Sequence, residues 1–354
     1  MIIPMNIPMN IPTTRRRILF TAPRTAECLE DPMPKLGDRG ILIRMQYTVV
    51  SGGTERACIM GMPNAGGNNF PKQLGYCGVG IVAKTGDGVS SVAVGDRVLV
   101  YHGIHSDWNI VDETQCGVVE NAHLTKVEDD GVDSLDAAFV VIASMGLGGV
   151  RKLELELGES AMVMGLGLLG IFAVQFLALS GANPVIAADL NPVRRALALE
   201  LGADYALDPA EEGFADKVRE LTKGRGVNAC VEVTGASKAM SQALDCASWM
   251  GRIALLGCTR VSDCAVDYYQ KVHRPGVKLI GAHNFVRPKF ESYPHHWTHH
   301  DDCRAILDLI AAKKFRVRPI VSRIVAPEEA PEIYRQLCDD PAFPIGTVFD
   351  WREQ

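Results

Sequence analysis

The feature that most constrains the fold is a run of apolar segments interrupted by glycines within residues 161–189. A short apolar strand is predicted at Ala161–Met164, and a second one at Val185–Ala188. An apolar helix is predicted between them, from Leu168 to about Ser180. Three glycines precede or begin that helix in the spacing G-x-G-x-x-G, at Gly165, Gly167 and Gly170. Strand, glycine turn, helix and strand in this order are typical of a βαβ unit in a parallel sheet.

The same segment carries the chemistry of a phosphate site. In order, the three glycines permit a tight turn, a close approach of the backbone to a pyrophosphate, and close packing of helix on strand. The first turn of the helix, Leu168 and Leu169, presents unpaired backbone N–H groups to the phosphates. Asp189 lies 19 residues beyond Gly170, close to the spacing expected of a carboxylate that binds ribose hydroxyls. The segment therefore predicts dinucleotide binding.

The acidic end of the second strand favours NAD over NADP. Asp189 would accept hydrogen bonds from two ribose hydroxyls and would repel a 2′-phosphate. Arg194 and Arg195 follow five and six residues later, on the next predicted helix rather than directly after the acid. We therefore expect NAD as the cofactor, with Arg194 among the residues near it.

Composition sets the class of protein and excludes several partners. The chain has 354 residues, is 47% hydrophobic and 22% charged, and carries a net charge of −6, which is ordinary for an enzyme with more than one domain. No dense basic run and no uninterrupted apolar span of about 20 residues occurs, so neither nucleic acid nor a membrane is an expected partner. Ten cysteines are scattered without a C-x-x-C pair, which predicts reduced thiols, a cytoplasmic location and no structural zinc cluster. The first 14 residues repeat I-P-M-N and are interpreted as an N-terminal extension.

The remaining patterns divide the chain into a β-rich part and an alternating part. From Arg17 to about Ala122 the chain is β-rich, with strands predicted at Ile41–Tyr47, Gly80–Lys84 and Arg97–Tyr101. A long helix is predicted at Asp136–Leu153, and helices then alternate with strands. The later predicted strands are Tyr205–Leu207, Val227–Val233, Arg252–Leu256 and Val277–Ile280. The later predicted helices are Pro192–Leu201, Phe214–Thr222 and Lys238–Ala247.

Alternation of this kind predicts an α/β fold with a doubly wound parallel sheet. Ligands bind such sheets beyond the carboxyl ends of the strands. The residues that follow those ends are therefore further candidates for cofactor contact: Thr234, Gly257, Cys258, His283 and Asn284.

Seven motifs in order resemble the medium-chain dehydrogenase/reductase superfamily of alcohol and polyol dehydrogenases. They are SGGTE at 51–55, LGYCGVG at 74–80, VGDRV at 94–98, MGLGLLG at 164–170, ALELGAD at 198–204, VEVTG at 231–235 and GRIALLG at 251–257. The resemblance implies a GroES-like catalytic domain, at 15–135 and 284–354, around a Rossmann domain at 136–283. It covers nearly the whole chain and is more specific for fold than for substrate.

The departures from that family concern its zinc ligands. Where zinc members carry Cys, His and a third Cys or Glu, this chain has Gly52, Tyr76 and a site near Val141. A zinc ion needs N, S or O ligands at about 2.0–2.3 Å, so the resemblance implies a subset without catalytic zinc. SGGTE with GYC is similar to bacteriochlorophyllide dehydrogenase-like and sugar-associated members.

Four residues are candidates for the proton chemistry that zinc would otherwise assist. Tyr76 could act as proton donor or acceptor, or could only fill the vacated position. Thr54 matches the family's relay hydroxyl, although it could instead bond its own turn. Glu55 could orient a partner, act as a base, or form a salt bridge, for example to Arg56. His105, like His102, could serve as a base or be structural.

The segment from His283 to His300 is rich in histidine and aromatic residues. His295/His299 and His296/His300 would share a helix face if the segment were helical, a spacing that can bind a transition metal, although a solvent-facing loop is favoured. Arg287, Lys289, Tyr293 and Trp297 could provide hydrogen bonds and stacking for a polar, ring-shaped substrate. The function expected is zinc-independent, NAD-dependent interconversion of a secondary alcohol and a ketone on a polyol or sugar-like small molecule. An enone or quinone reductase and a non-catalytic cofactor-binding protein are the alternatives. A homodimer or homotetramer is expected, paired through the edge strand near Val277–Ile280.

Overall fold

The computed structural model describes residues 10–115 and 123–352. Most of the predicted extension, residues 1–9, lies outside the described residues, as does Cys116. Within them the strands are β1 (Thr14–Ala22), β2 (Thr25–Pro32), β3 (Gly40–Val49), β4 (Cys77–Thr85), β5 (Arg97–Tyr101), β6 (Trp108–Asp112), β7 (Leu124–Lys126), β8 (Ala161–Met164), β9 (Val185–Ala188), β10 (Tyr205–Leu207), β11 (Val227–Glu232), β12 (Ala247–Leu255), β13 (Lys278–Gly281), β14 (Val321–Val325) and β15 (Gly346–Asp350). The α-helices are α1 (Gly52–Ile59), α2 (Ser134–Ala137), α3 (Val140–Arg151), α4 (Leu168–Leu179), α5 (Pro192–Glu200), α6 (Phe214–Leu221), α7 (Ser237–Cys246), α8 (His299–Ala311) and α9 (Ala330–Asp339).

The chain divides into two units. The first unit comprises Met1–Val141, Lys289–Glu291 and Thr298–Gln354, and the second comprises Ile142–Pro288 and Ser292–Trp297.

The second unit is built on a six-stranded parallel sheet in the order β10-β9-β8-β11-β12-β13. The first of these strands in the chain, β8, lies between β9 and β11, so the winding direction reverses beside it. Helices connect successive strands, and α4 is apolar enough to be buried along most of its length. The predicted doubly wound α/β class is confirmed. Such a reversal is the place where these sheets bind ligands, at the carboxyl ends of the strands.

The first unit is mainly antiparallel. Its larger sheet has the order β14-β15-β3-β4-β5-β7, with β6 paired to β3, and β1 and β2 form a separate hairpin. Ile18, Ile43, Tyr334 and Phe349 are buried in one core, so strands from the start of the chain pack against the last helix and strand. The predicted β-rich domain is confirmed, although the hairpin was not singled out from the sequence.

One sequence prediction about a helix is wrong in its bounds, and the conditional helix over the histidine segment does not form. The helix expected at Asp136–Leu153 is divided into α2 and α3, because the chain tightens where the Phe139 N–H donates to the Asp136 carbonyl at 3.2 Å. The paired histidines do not share a helix face, because α8 begins only at His299. Thr298 caps that helix by accepting a hydrogen bond from the Asp301 N–H at 3.1 Å. Among the described residues, no helix has the length and apolar character needed to cross a membrane.

Candidate active site

The glycine turn after β8 has the geometry of a phosphate-binding loop. Gly165 has a φ of +94°, and a Cβ there would lie 2.5 Å from Cγ2 of Thr234. A Cβ on Gly170 would lie 1.8 Å from the Gly165 carbonyl oxygen, so this glycine lets α4 pack against the turn. A Cβ on Gly167 would meet nothing within 4 Å, so the space before the first turn of α4 is open. Leu168 and Leu169 begin that helix, where backbone N–H groups lack partners within the helix.

Asp189, at the end of β9, fixes the glycine turn from the neighbouring strand. Its Oδ2 accepts a hydrogen bond from the Leu166 N–H at 2.7 Å, and its Oδ1 accepts one from the Asn191 N–H at 2.8 Å. A carboxylate offers about four acceptor positions, so two remain for ribose hydroxyls. Arg195 donates to the Asp189 carbonyl at 2.8 Å and pairs with Asp208 at 3.0 Å. These two contacts fix the position of its guanidinium. Arg194 lies beside it in the first turn of α5.

The ends of β11 and β12 lie against the glycine turn. Glu232 is buried and accepts hydrogen bonds from the Thr234 N–H at 2.7 Å and from the Gly235 N–H at 3.1 Å. Burial raises the pKa of this carboxyl. A Cβ on Gly257 would lie 2.3 Å from the Gly235 nitrogen, so the two loops cross closely. Thr234 and Cys258 are exposed there, and their contact with a cofactor stays a prediction.

The last predicted cofactor residues follow β13. His283 is exposed, and its Nδ1 accepts a hydrogen bond from the Phe285 N–H at 3.2 Å. The Asn284 carbonyl accepts one from Nε of Arg287 at 3.0 Å, and Nη2 of Arg287 donates to the Ser144 carbonyl at 2.9 Å.

Two residues of the same segment contact α3. Arg287 lies against that helix, since a Cβ on Gly148 would be 2.3 Å from its Nη2. The Arg151 guanidinium lies 3.8 Å from the centre of the Trp297 ring. Both residues therefore make contacts within the second unit, and their contact with a polar ring stays a prediction.

In the first unit, Tyr76 precedes β4 and its hydroxyl is 2.6 Å from Oγ of Ser51, the residue that precedes α1. Burial, together with the nearby Cys77 and Glu55, raises the pKa of Tyr76, so the phenol keeps its proton at neutral pH. Ser51 was not proposed from the sequence, although it begins the SGGTE motif. Thr54, the expected relay hydroxyl, lies in α1 and is partly buried.

Glu55 and His105 form a pair with no exposed surface, behind Ser51 and Tyr76. Nε2 of His105 lies 3.3 Å from each carboxylate oxygen of Glu55. Arg56 does not pair with Glu55, and its guanidinium instead donates to the Cys338 carbonyl at 3.3 Å. Because His105 is wholly buried, any contribution it makes to chemistry passes through other residues.

A group of rings continues outward from Tyr76. The Tyr101 ring stacks on His102, with centroids 3.7 Å apart, and lies edge-on to Tyr76 at 6.2 Å. His102 has a φ of +59° and is exposed. Although part of the residue is exposed, desolvation by the surrounding residues, with His123 nearby, lowers the pKa of His102 to about 4. At neutral pH this imidazole is therefore uncharged.

The residues at the family's zinc positions do not fit a zinc ion. Gly52 has no side chain, Val141 is apolar and buried, and Tyr76 keeps its phenolic proton. Across residues 10–115 and 123–352, no three His, Cys, Asp or Glu side chains lie together as a group that could hold a metal ion. Zinc requires such a convergent set.

The second unit has a parallel sheet with a glycine turn and Asp189, and the first unit has the Tyr76–Ser51 hydroxyl pair. Taken separately, these features are those of a dinucleotide-dependent oxidoreductase with a GroES-like unit. Comparison with known families agrees. Residues 37–151 match the alcohol dehydrogenase GroES-like domain, and residues 169–295 match the zinc-binding dehydrogenase family. The chain belongs to the medium-chain dehydrogenase/reductase superfamily, and its cofactor is a nicotinamide dinucleotide.

Individual relatives are consistent with this membership. The chain is 31% identical to L-threonine 3-dehydrogenase of Pyrococcus horikoshii, over 66% of this chain and 72% of that protein. It is 25% identical to D-guloside 3-dehydrogenase of Escherichia coli, over 94% of this chain and 100% of that protein. The crystal structure of a zinc-binding dehydrogenase from Sinorhizobium meliloti bound to NADP superposes with a TM-score of 0.79, at 19% identity, covering 96% of this chain and 100% of that one.

Proposed function

We propose that this protein interconverts a secondary alcohol and a ketone with NAD(H) and without a catalytic zinc ion. The observation that carries the proposal is the Tyr76–Ser51 hydroxyl pair, 2.6 Å apart, at a position where zinc members of the family are expected to place a metal ligand. A protonated phenol there offers the substrate oxygen a proton in place of a Lewis acid. Glycine and valine at the other two ligand positions support the same conclusion.

The chain's own residues would handle the proton. The bound nicotinamide would supply or accept the hydride. In ketone reduction the Tyr76 hydroxyl donates its proton to the carbonyl oxygen, the Ser51 hydroxyl donates to the tyrosine oxygen in turn, and Ser51, which is partly exposed, takes up a proton from solvent water. In alcohol oxidation the direction reverses. Because a hydroxyl donates and accepts at once, Tyr76 can pass a proton to Ser51 while receiving one, and a phenolate need not accumulate.

Three further features support NAD as the form of the cofactor. Asp189 has acceptor positions left after its bonds to Leu166 and Asn191. Its negative charge opposes a 2′-phosphate. Arg195, the basic residue that could offset that charge, is held by Asp208 and by the Asp189 carbonyl.

The substrate proposed is a polyol, a sugar derivative or another polyhydroxylated ring. The full-length similarity to a protein named D-guloside 3-dehydrogenase supports this class.

We also propose that the protein is a homodimer or homotetramer in the cytoplasm. The strand β13 supports the assembly, because it lies at the end of the described sheet order and pairs there with β12 alone. The described cysteines are all free thiols, as a reducing compartment favours.

The experiment that tests the role of Tyr76 compares Tyr76→Phe with Tyr47→Phe. Both remove one hydroxyl from the first unit, but Tyr47 lies in β3 and its ring faces the Arg352 guanidinium at 4.5 Å. We expect Tyr76→Phe to lower kcat for alcohol oxidation at least a hundredfold, the usual scale of general acid–base catalysis, with NADH affinity unchanged. Equal turnover by the two variants would reject Tyr76 as the proton carrier.

A further inference from the structure

A buried carboxylate lies directly behind the hydroxyl pair. Glu55 has no exposed surface, and its oxygens accept hydrogen bonds from three sides. The Ser51 N–H donates at 3.1 Å, the Tyr334 hydroxyl donates at 2.6 Å, and Nε2 of His105 lies at 3.3 Å. Three donors thus converge on this carboxyl group, and its bond to the Ser51 N–H holds the backbone at the start of α1.

The contacts around His105 extend the network to the end of the chain. Nδ1 of His105 lies 2.7 Å from Oγ1 of Thr48, and Oγ1 of Thr48 accepts a hydrogen bond from Nε1 of Trp351 at 2.8 Å. Trp351 has only a donor at that nitrogen, so Oγ1 of Thr48 accepts there and its hydroxyl proton is left for Nδ1 of His105. The hydrogen bonds then run in one direction: tryptophan donates to threonine, threonine donates to Nδ1, and Nε2 of His105 faces the carboxyl group of Glu55.

The position of His105 is also fixed from the side of Tyr76. Gly75, directly before Tyr76, has a φ of +102°, and a Cβ there would lie 2.3 Å from the His105 nitrogen and 2.4 Å from its Cγ. The His105 N–H donates to the Leu74 carbonyl at 2.8 Å. His105 thus packs against Gly75, which precedes Tyr76, and contacts Glu55, which binds the Ser51 N–H.

We infer that Thr48, His105 and Tyr334 are positioning residues, which hold the Glu55 carboxylate and through it keep Ser51 in hydrogen-bonding register with Tyr76. This inference rests on the proposed function, because it assigns a purpose to the network only if the hydroxyl pair carries the substrate proton. None of the three residues has exposed surface, so none of them touches the substrate.

The test compares Thr48→Val with Thr48→Ser and Tyr334→Phe with Tyr47→Phe. Valine keeps the shape of threonine and loses the hydroxyl, whereas serine loses the methyl group and keeps the hydroxyl. We expect Thr48→Val and Tyr334→Phe to lower kcat for alcohol oxidation about tenfold, with the Kd for NADH unchanged. Thr48→Ser and Tyr47→Phe should retain kcat within about twofold. Thermal unfolding and circular dichroism report the folded fraction, to which each kcat is normalised.

The outcomes separate the inference from the proposed function. If Tyr76→Phe abolishes turnover while Thr48→Val and Tyr334→Phe keep the wild-type kcat, the network is structural only and the inference is wrong. If Tyr76→Phe itself retains turnover, the proposed function loses its proton carrier and the inference falls with it. A Thr48→Ser enzyme as impaired as Thr48→Val would also overturn the inference, because packing rather than the hydroxyl would then be responsible. If a variant does not fold, the remaining pair still gives the comparison.

Discussion

Asp189→Ala is expected to weaken NADH binding roughly a hundredfold. The carboxylate uses two of about four acceptor positions on Leu166 and Asn191. Two positions remain for ribose hydroxyls, and a hydrogen bond to a charged group contributes about 1.5–3 kcal/mol. Two such bonds at the lower limit give about 3 kcal/mol, and each 1.4 kcal/mol corresponds to a factor of about ten in Kd. NADPH binding should be unchanged or tighter, because the charge that repels a 2′-phosphate is removed.

The measurement is calorimetric titration of NADH and NADPH into wild-type protein, Asp189→Ala and Asp189→Asn. Asparagine keeps one oxygen acceptor, which can still accept the hydrogen bond from the glycine turn. We therefore expect Asp189→Asn to lose less thermal stability than Asp189→Ala. Asp216→Ala, a change at a carboxylate whose side chain is 85% exposed, is the control for a general charge effect. Unchanged NADH affinity in Asp189→Ala would refute the assignment of this residue to the ribose.

Two other changes test the packing and the electrostatics of the units. Gly170→Ala should destabilise the second unit by about 2 kcal/mol or more, because the new methyl group would lie 1.8 Å from the Gly165 carbonyl oxygen. Thermal unfolding with and without NADH measures this loss of stability. An unchanged Tm would contradict the close packing of α4 on the glycine turn. For His102 the folded pKa of about 4 lies below its ordinary value of 6.5, so the unfolded chain takes up a proton first and stability falls as pH drops from about 6.5 towards 4. Urea unfolding at pH 7 and pH 5 should show that His102→Asn loses less stability between the two pH values than the wild-type protein does. Asparagine is chosen because it also tolerates the φ of +59° at this position. An identical loss of stability in the variant and the wild-type protein would contradict the lowered pKa.

The dinucleotide half of the molecule could be predicted from local sequence. The roles of Gly165, Gly170 and Asp189 depend on residues within a single βαβ unit, so spacing alone indicates where they lie. Register in a parallel sheet also brings residues after neighbouring strands together, which is why Thr234 and Cys258 were expected near the turn. The buried acid Glu232 in the VEVTG motif was missed, because a carboxylate that caps its own following turn resembles any other strand residue in sequence.

The network behind Tyr76 could not be predicted, because its members are far apart in the chain. Tyr334 is 279 residues from Glu55, and Trp351 is 303 residues from Thr48. No periodicity relates such positions, and only the antiparallel pairing of β15 with β3 brings Trp351 to Thr48. The start of α8, by contrast, could have been predicted from local sequence. Thr298 followed three residues later by Asp301 is a helix-capping signal, but the sequence analysis considered only the histidine spacing there.

The most direct test of the central claim is NADH formation from NAD by chelator-treated protein, across a panel of polyols, cyclic sugars and simple secondary alcohols. Metal content is measured in the same sample, and Tyr76→Phe is assayed beside it. Zinc-independent alcohol oxidation through Tyr76 predicts turnover of a polyhydroxylated substrate that survives chelation and is lost in Tyr76→Phe. Turnover that appears only after zinc is restored would contradict the claim.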